Sequence, residues 1–172
     1  MKIALKKELT GSILDIGGGG EGIIGRLYGS RVTAIDNRQE ELDEAPDTCT
    51  KLCMDATALS FADESFDAVT AFYSLLFMTA GEQERAIAEG IRVLCPSGRL
   101  CLWDYAVESA YPNPFVTELD VDLEGELLHT SYGICKLDAQ SRESILSFCL
   151  AKGLTLLTSR QEGIHFYLEL QK

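Results

Sequence analysis

The period of apolar and polar positions changes several times along the chain, and each change marks an element. Residues 11–16 carry a short apolar run, Ile13-Leu14-Asp15-Ile16, that reads as a buried strand. Residues 20–29 (GEGIIGRLYG) place Ile23, Ile24 and Leu27 at helical spacing, with Gly29 as a stop. Residues 31–36 (RVTAID) predict a second strand, and residues 38–45 a short helix ended by Pro46. Residues 49–54 and 65–72 (SFDAVTAF) predict the third and fourth strands. Residues 81–94 set Ala86, Ile87, Ile91 and Leu94 along one side of a helix that stops before a turn at Pro96-Ser97-Gly98. Residues 99–104 (RLCLWD) form a fifth strand. Beyond Trp103 the regularity weakens. Residues 105–117, with Pro112 and Pro114, read as a loop, and residues 118–136 as an antiparallel hairpin about Glu124-Gly125. A last helix spans 139–152 with Asp138 as its cap. Strands at 154–159 and 164–170 close the chain around a turn at Gln161-Glu162-Gly163.

Strands that alternate with helices predict a parallel α/β sheet. Right-handed crossovers bring every strand's carboxyl end to one edge, where ligands bind. Asp15, Asp36, Asp55 and Asp104 each stand at or just past a strand end, so four carboxylates are expected around one crevice. Between the first strand and its helix lie Gly17, Gly18, Gly19 and Gly20. Glycine permits the backbone angles of such a tight turn and lets a ligand approach closely. The helix start beyond it offers unpaired N–H groups. The stretch therefore predicts a site for a nucleotide-type cofactor.

Bulk properties narrow the partners. A chain of 172 residues without repeats or low-complexity tracts predicts a single domain over 1–172. A formal charge of −12 argues against a broad phosphate-binding face, so no nucleic acid is expected as partner. No apolar run approaches the roughly 20 residues that cross a bilayer. The opening MKIALKKELT lacks the apolar core of a signal peptide, so a cytoplasmic protein is expected. Cys49, Cys53, Cys95, Cys101, Cys135 and Cys149 form no C-x-x-C pair and read as reduced thiols that pack as small hydrophobes, with no metal site expected. Were thiol or metalloid chemistry involved, Cys53 at the end of the third strand would be the best placed.

Five stretches in order carry a resemblance to a known family: Ile13–Gly22, Ala34-Ile35-Asp36, Met54-Asp55-Ala56, Leu59–Val69 (LSFADESFDAV) and Arg92–Asp104 (RVLCPSGRLCLWD). Together they resemble the class I S-adenosylmethionine (SAM)-dependent methyltransferases. The resemblance implies a Rossmann-like, doubly wound, seven-stranded sheet, mostly parallel with an antiparallel last strand. It implies SAM as cofactor and methyl transfer to a small-molecule acceptor. Gly17–Gly20 would lie against the methionine and ribose portion, with Asp15 near the amino-acid end. Asp36, followed by Asn37, would take the ribose hydroxyls, and Asp55 with the backbone of Ala56 the adenine. Phe72 and Tyr73 would face the methionine and the acceptor, where an aromatic face suits the sulfonium. Each residue also has a plainer role: a helix cap for Asp15, a turn for Asp36, an Asx-turn for Asp55, packing for Phe72, Tyr73 and Trp103.

The chain departs from the family pattern in three ways. Glu21 occupies the third glycine of D-x-G-x-G-x-G, and Gly22 comes one residue late. Read otherwise, Gly17, Gly19 and Gly22 satisfy G-x-G-x-x-G with Asp36 downstream, the fingerprint of a nicotinamide-binding oxidoreductase. The SFDAV and RVL-x-P-x-G stretches have no part in that fingerprint. Secondly, only about ten residues precede the first strand. Cover for the cofactor must then come from the variable segment 105–136, with residues 105–118 as a lid, from residues 73–81, or from a homodimer partner. Thirdly, Leu76 and Phe77 stand where many relatives place a histidine. Tyr73, Asp104, Tyr105 and His129 are the candidate proton acceptors, while His165, in the last strand, reads as structural. Without a base, a SAM-binding regulatory or partner subunit that does not turn over is the rival reading.

Overall fold

In the computed structural model, which describes residues 1–107, 115–134 and 138–172, the chain forms fourteen strands and α-helices. They are β1 (Lys2–Leu5), β2 (Ile13–Ile16), α1 (Ile23–Tyr28), β3 (Val32–Asp36), α2 (Gln39–Glu44), β4 (Thr50–Cys53) and β5 (Phe66–Phe72). There follow α3 (Ala80–Val93), β6 (Leu94–Tyr105), β7 (Phe115–Leu123), β8 (Glu126–Ile134), α4 (Arg142–Ala151), β9 (Thr155–Glu162) and β10 (His165–Gln171). Short 3₁₀ turns occupy Gly29–Arg31 and Leu75–Phe77.

Seven strands form one sheet in the order β4-β3-β2-β5-β6-β10-β9. The first five run parallel. β10 is antiparallel to β6, and β9 is antiparallel to β10. This is the Rossmann-like arrangement expected. Strands covered on both faces must be apolar throughout, and all four residues of β2 are buried, Asp15 among them. One face packs against α3 and α4 through Ala86, Ile87, Ile145 and Cys149. The other carries α1 through Ile23, Ile24 and Leu27.

Several boundaries moved for local reasons. The cap of α4 is Ser141, whose hydroxyl accepts from Ser144 N at 3.0 Å, because Ser141 is the last extended residue before the helix. Asp138 lies three residues too early and accepts from Ala80 N instead, at 3.1 Å. The turn expected at Pro96-Ser97-Gly98 lies inside β6, as an irregularity opposite the Phe66–Ala68 stretch with Ser97 at φ 64°.

The larger surprise is a second sheet, β1-β7-β8. The hairpin was expected, though it starts at Phe115. β1 was not: Lys2–Leu5 pairs in parallel with Asp120–Leu123, so the first ten residues are no simple leader to the sheet. Leu5, Leu119, Val121, Leu123 and Ile134 bury this sheet against the α1 face of the core. Of the expected lid, residues 108–114 lie outside the described residues, as do 135–137.

Candidate functional site

At the carboxyl edge of the parallel strands lies a cavity of about 620 Å³, within the range of roughly 300–1,000 Å³ usual for small-ligand sites. Asp15, Gly17, Gly18, Gly19, Gly20, Asp36, Asn37, Asp55, Ala56, Phe72 and Tyr73 all line it. The sequence therefore brought these residues to one place. Asp104, Tyr105 and His129 are absent from the cavity's described lining.

The glycine loop is thin because the protein crowds it from behind. Gly17 N and Gly18 N donate to Ile35 O at 2.8 and 3.0 Å, and Gly20 N to Glu41 O at 2.8 Å. Those bonds pin the loop between β3 and α2. A Cβ on Gly17 would meet Ser74 Cβ at 2.3 Å, and one on Gly18 the Asp15 carboxylate at 2.6 Å and Ala34 at 2.8 Å. Gly17 also has φ 71°, which favours glycine.

Asp15 is buried beneath this loop, where Thr70 Oγ1 donates to its Oδ1 at 2.7 Å. Burial pushes its pKa up to about 7, against that hydrogen bond and with help from the Asp36 charge. It does not cap α1, whose cap position is Gly22 without a side-chain bond. Asp36 ends β3 with Oδ1 accepting from Arg38 N at 3.0 Å, and its Oδ2 lies over Gly19. Asp55 forms the Asx-type turn: Thr57 N and Oγ1 both donate to Oδ1 at 2.8 Å, and the backbone bond leads in holding its pKa low. The backbone at Ala56 is left to define the cavity wall there.

Tyr73, just past β5, has φ 52°, a conformation that costs a non-glycine residue about 1–3 kcal/mol. Tyr73 N donates to Trp103 O at 2.8 Å and holds the bend. Its ring stacks on Tyr132 at 5.7 Å and meets Phe72 edge-on at 5.0 Å. Trp103 stacks on Tyr167, packs against the core from a half-buried position and is not among the cavity's described lining.

The remaining candidates serve other ends. Asp104 is fully buried and accepts from Leu76 N, Tyr105 N and Gln140 Nε2, which ties the end of β6 to the segment before α4. Tyr105 is buried too, and burial pushes its pKa up to about 12. His129 faces outward on β8 and pairs with Asp120 at 2.9 Å, which raises its pKa.

One contributor escaped the sequence reading, while two others fall in segments expected to give cover, 105–136 and 73–81, with Glu82 one residue beyond. Glu21, noticed only as a misplaced glycine, reaches across the mouth: Thr130 Oγ1 donates to its Oε1 at 2.5 Å. Ser131, Tyr132 and Gly133 of β8 line one side, and Phe77, Met78 and Glu82 another, so cover comes from the hairpin and from residues 77–82. Burial and the Glu21 charge push the Tyr132 phenol up. Seven carboxylates border the cavity, and Arg38, the single basic side chain among the described lining residues, pairs with Glu41 at 2.9 Å.

The family described as a methyltransferase domain matches residues 14–102. The demethylmenaquinone methyltransferase of Renibacterium salmoninarum is 46% identical over 52 residues, covering 30% of this chain and 21% of that protein. The ubiquinone/menaquinone biosynthesis C-methyltransferase of Paracoccus denitrificans is 33% identical over 107 residues, covering 55% of this chain and 42% of that protein. The chain thus spans less than half the length of either curated relative. The PH0226 protein from Pyrococcus horikoshii superposes with a TM-score of 0.69 at 18% identity, over 96% of this chain and 84% of that one. The S-adenosylmethionine-dependent methyltransferase from Mesorhizobium loti gives 0.67 at 14%, over 94% and 90%. At such identities these two establish a shared fold.

Proposed function

Since the chain belongs to the class I S-adenosylmethionine-dependent methyltransferases, with S-adenosylmethionine as cofactor, we propose that this cavity holds the cofactor along its glycine loop and delivers the methyl group to a small, uncharged acceptor. One observation carries the reading: eleven residues picked from four separate segments of the sequence line a single cavity whose charge is almost wholly negative. The residues fit a cationic nucleoside. A Cβ on Gly17, Gly18 or Gly19 would collide with the wall behind, so the loop packs tightly against it. Asp36 Oδ2 remains for ribose hydroxyls, and the backbone at Ala56 for the adenine edge. Asp15 and the faces of Phe72 and Tyr73 suit the positive end of the molecule. When bound, the cofactor supplies an activated methyl carbon, and positioning the acceptor in line supplies much of the rate.

The acceptor class follows from the same charges. Carboxylates repel a phosphate or carboxylate acceptor, and Arg38 is already paired. The walls of Phe72, Tyr73, Tyr132 and exposed Phe77 suit a flat, neutral ring. The two curated relatives are named for quinone methylation, which makes a hydroquinone the first acceptor to try. Calorimetry with SAM, S-adenosylhomocysteine and NADH tests the site. Asp36→Ala should weaken the two sulfur compounds about ten- to a hundredfold, as loss of charge-assisted hydrogen bonds worth about 1.5–3 kcal/mol requires. Release of S-adenosylhomocysteine in the presence of 2-prenyl-1,4-naphthohydroquinone tests the chemistry. NADH binding in place of SAM would refute the proposal. SAM binding without release, from any neutral ring offered, would turn it toward a non-catalytic SAM-binding subunit.

A further inference from the structure

Resting on the methyl-transfer reading, we infer that Tyr73 and His165 form a two-residue proton relay that takes the acceptor's proton, with His165 acting through Tyr73. Among the described residues no histidine lines the cavity, yet one stands directly behind its wall. Tyr73 lines the cavity, and its hydroxyl lies 3.0 Å from His165 Nδ1. His165 opens β10, and because β10 runs antiparallel to β6 its first residue sits at the edge where the parallel strands end. It pairs there with Tyr105 and Glu162 in register. The imidazole is boxed by two rings, Tyr105 at 4.6 Å and Tyr73 at 5.9 Å between centroids. The strained backbone of Tyr73 is what aims its ring at this box rather than along the strand.

The direction of the hydrogen bond follows from the surroundings. Burial, with Tyr105, Asp104 and Tyr132 nearby, holds the Tyr73 phenol far above its ordinary pKa. Tyr73 therefore stays protonated and donates, and His165 Nδ1 accepts. Burial lowers the His165 pKa, the Met1 amino group adds to this, and Glu162 opposes it. The imidazole is thus neutral at pH 7, with its proton on Nε2. The Tyr73 side chain is almost fully buried in the cavity wall, and its oxygen keeps a lone pair for an acceptor O–H that packs against that wall.

The step balances. The acceptor's O–H breaks and its proton moves to the Tyr73 oxygen, while the Tyr73 proton moves to His165 Nδ1. The electron pair left on the acceptor forms the bond to the methyl carbon, and the cofactor's sulfur keeps the C–S pair. One positive charge leaves the sulfonium and one arrives on the imidazolium, so the cavity gains no net charge. His165 is half-buried and can release its proton to solvent.

The test uses the whole chain with 2-prenyl-1,4-naphthohydroquinone across about pH 5 to 9, together with NMR titration of its two histidines. In the wild type, kcat should rise with pH through one ionisation below the ordinary histidine value of about 6.5. His165→Gln should abolish that limb and lower kcat about a hundredfold, the usual scale for general-base catalysis, with SAM affinity unchanged. Tyr73→Phe should raise the His165 titration, since the neutral ring loses its donor, and the double variant should be no slower than the slower single one. An active wild type whose pH limb survives in His165→Gln overturns the relay alone. So does a His165 that titrates at or above the ordinary value or ignores Tyr73→Phe. A wild type that binds SAM with the NMR signature intact, yet methylates no neutral ring, overturns the methyl-transfer reading and the relay with it.

Discussion

Asp15→Asn should make the protein more stable in neutral and alkaline solution while loosening its hold on the cofactor. The carboxyl group is buried under the glycine loop with its pKa raised to about 7, chiefly by loss of water, against about 3.9 in an unfolded chain. The folded state therefore holds this proton more tightly than the unfolded state. Stability must fall as pH rises from about 4 through about 7 and level off above, because over that window folding requires uptake of a proton or burial of a charge. At about 1.4 kcal/mol per pH unit, the gap between the two values corresponds to at most about 4 kcal/mol. Asparagine has no charge to bury, and its amide oxygen can accept the Thr70 hydroxyl as Oδ1 does now. Urea unfolding of both proteins between pH 5 and 8 isolates the effect, since titrations common to both cancel in the difference. The stability difference should widen by about 2–3 kcal/mol across that range, or about 5–10 °C in Tm for a domain of this size. SAM affinity should drop in the same variant. A stability difference that does not change with pH would show that Asp15 is ionised in the folded protein at little cost, and the account of the site's buried charge would be wrong.

Gly18→Ala should destabilise by about 1–3 kcal/mol in thermal unfolding, since its methyl meets Asp15 and Ala34, whereas Gly133→Ala, with nothing within 4 Å, should match the wild type. Thr130→Val removes the donor to Glu21 and should weaken the latch between the loop and β8 by about 1–3 kcal/mol, read as faster amide exchange in β7 and β8 with the main sheet unchanged. His129→Ala should leave turnover unaltered at every pH, because the ring is exposed, paired with Asp120 and not among the cavity's described lining. A loss of activity there would contradict its placement.

The large sheet and the glycine-loop side of the cavity were legible because they obey local rules. Gly17–Gly20, Asp36 and Asp55 sit at strand ends, and a strand end is readable from periodicity alone. From Ile13 to Tyr105 each strand is announced by its own local pattern, although β2 pairs with β5 across 55 residues. What escaped depends on distant pairing. Lys2–Leu5 is too short to announce a strand and becomes one only against Asp120–Leu123. Tyr132 looked like one more alternating residue, and nothing local says that β8 folds over the glycine loop. Asp104 misled because it shares the strand-end position of the other three carboxylates, yet Gln140, which turns it into a structural group, arrives from far along the chain. His165 was read as structural because its partner, Tyr73, is joined to it only by the antiparallel return of β10.

The pairing of β1 with β7 ties the beginning of the chain to a strand more than a hundred residues later. Closing so large a loop costs conformational entropy that rises slowly with length, but the contact holding it closed is only four residues long. A seam of that kind opens before the layers beneath it do. β1 is thus the part of the small sheet with the least to lose by coming apart, while β8 keeps its nine residue pairs with β7 and the parallel sheet that fixes Asp15, Asp36 and Tyr73 stays whole. Fraying of that N-terminal strand would leave every cavity-lining strand paired, because no residue of Lys2–Leu5 is among the cavity's described lining.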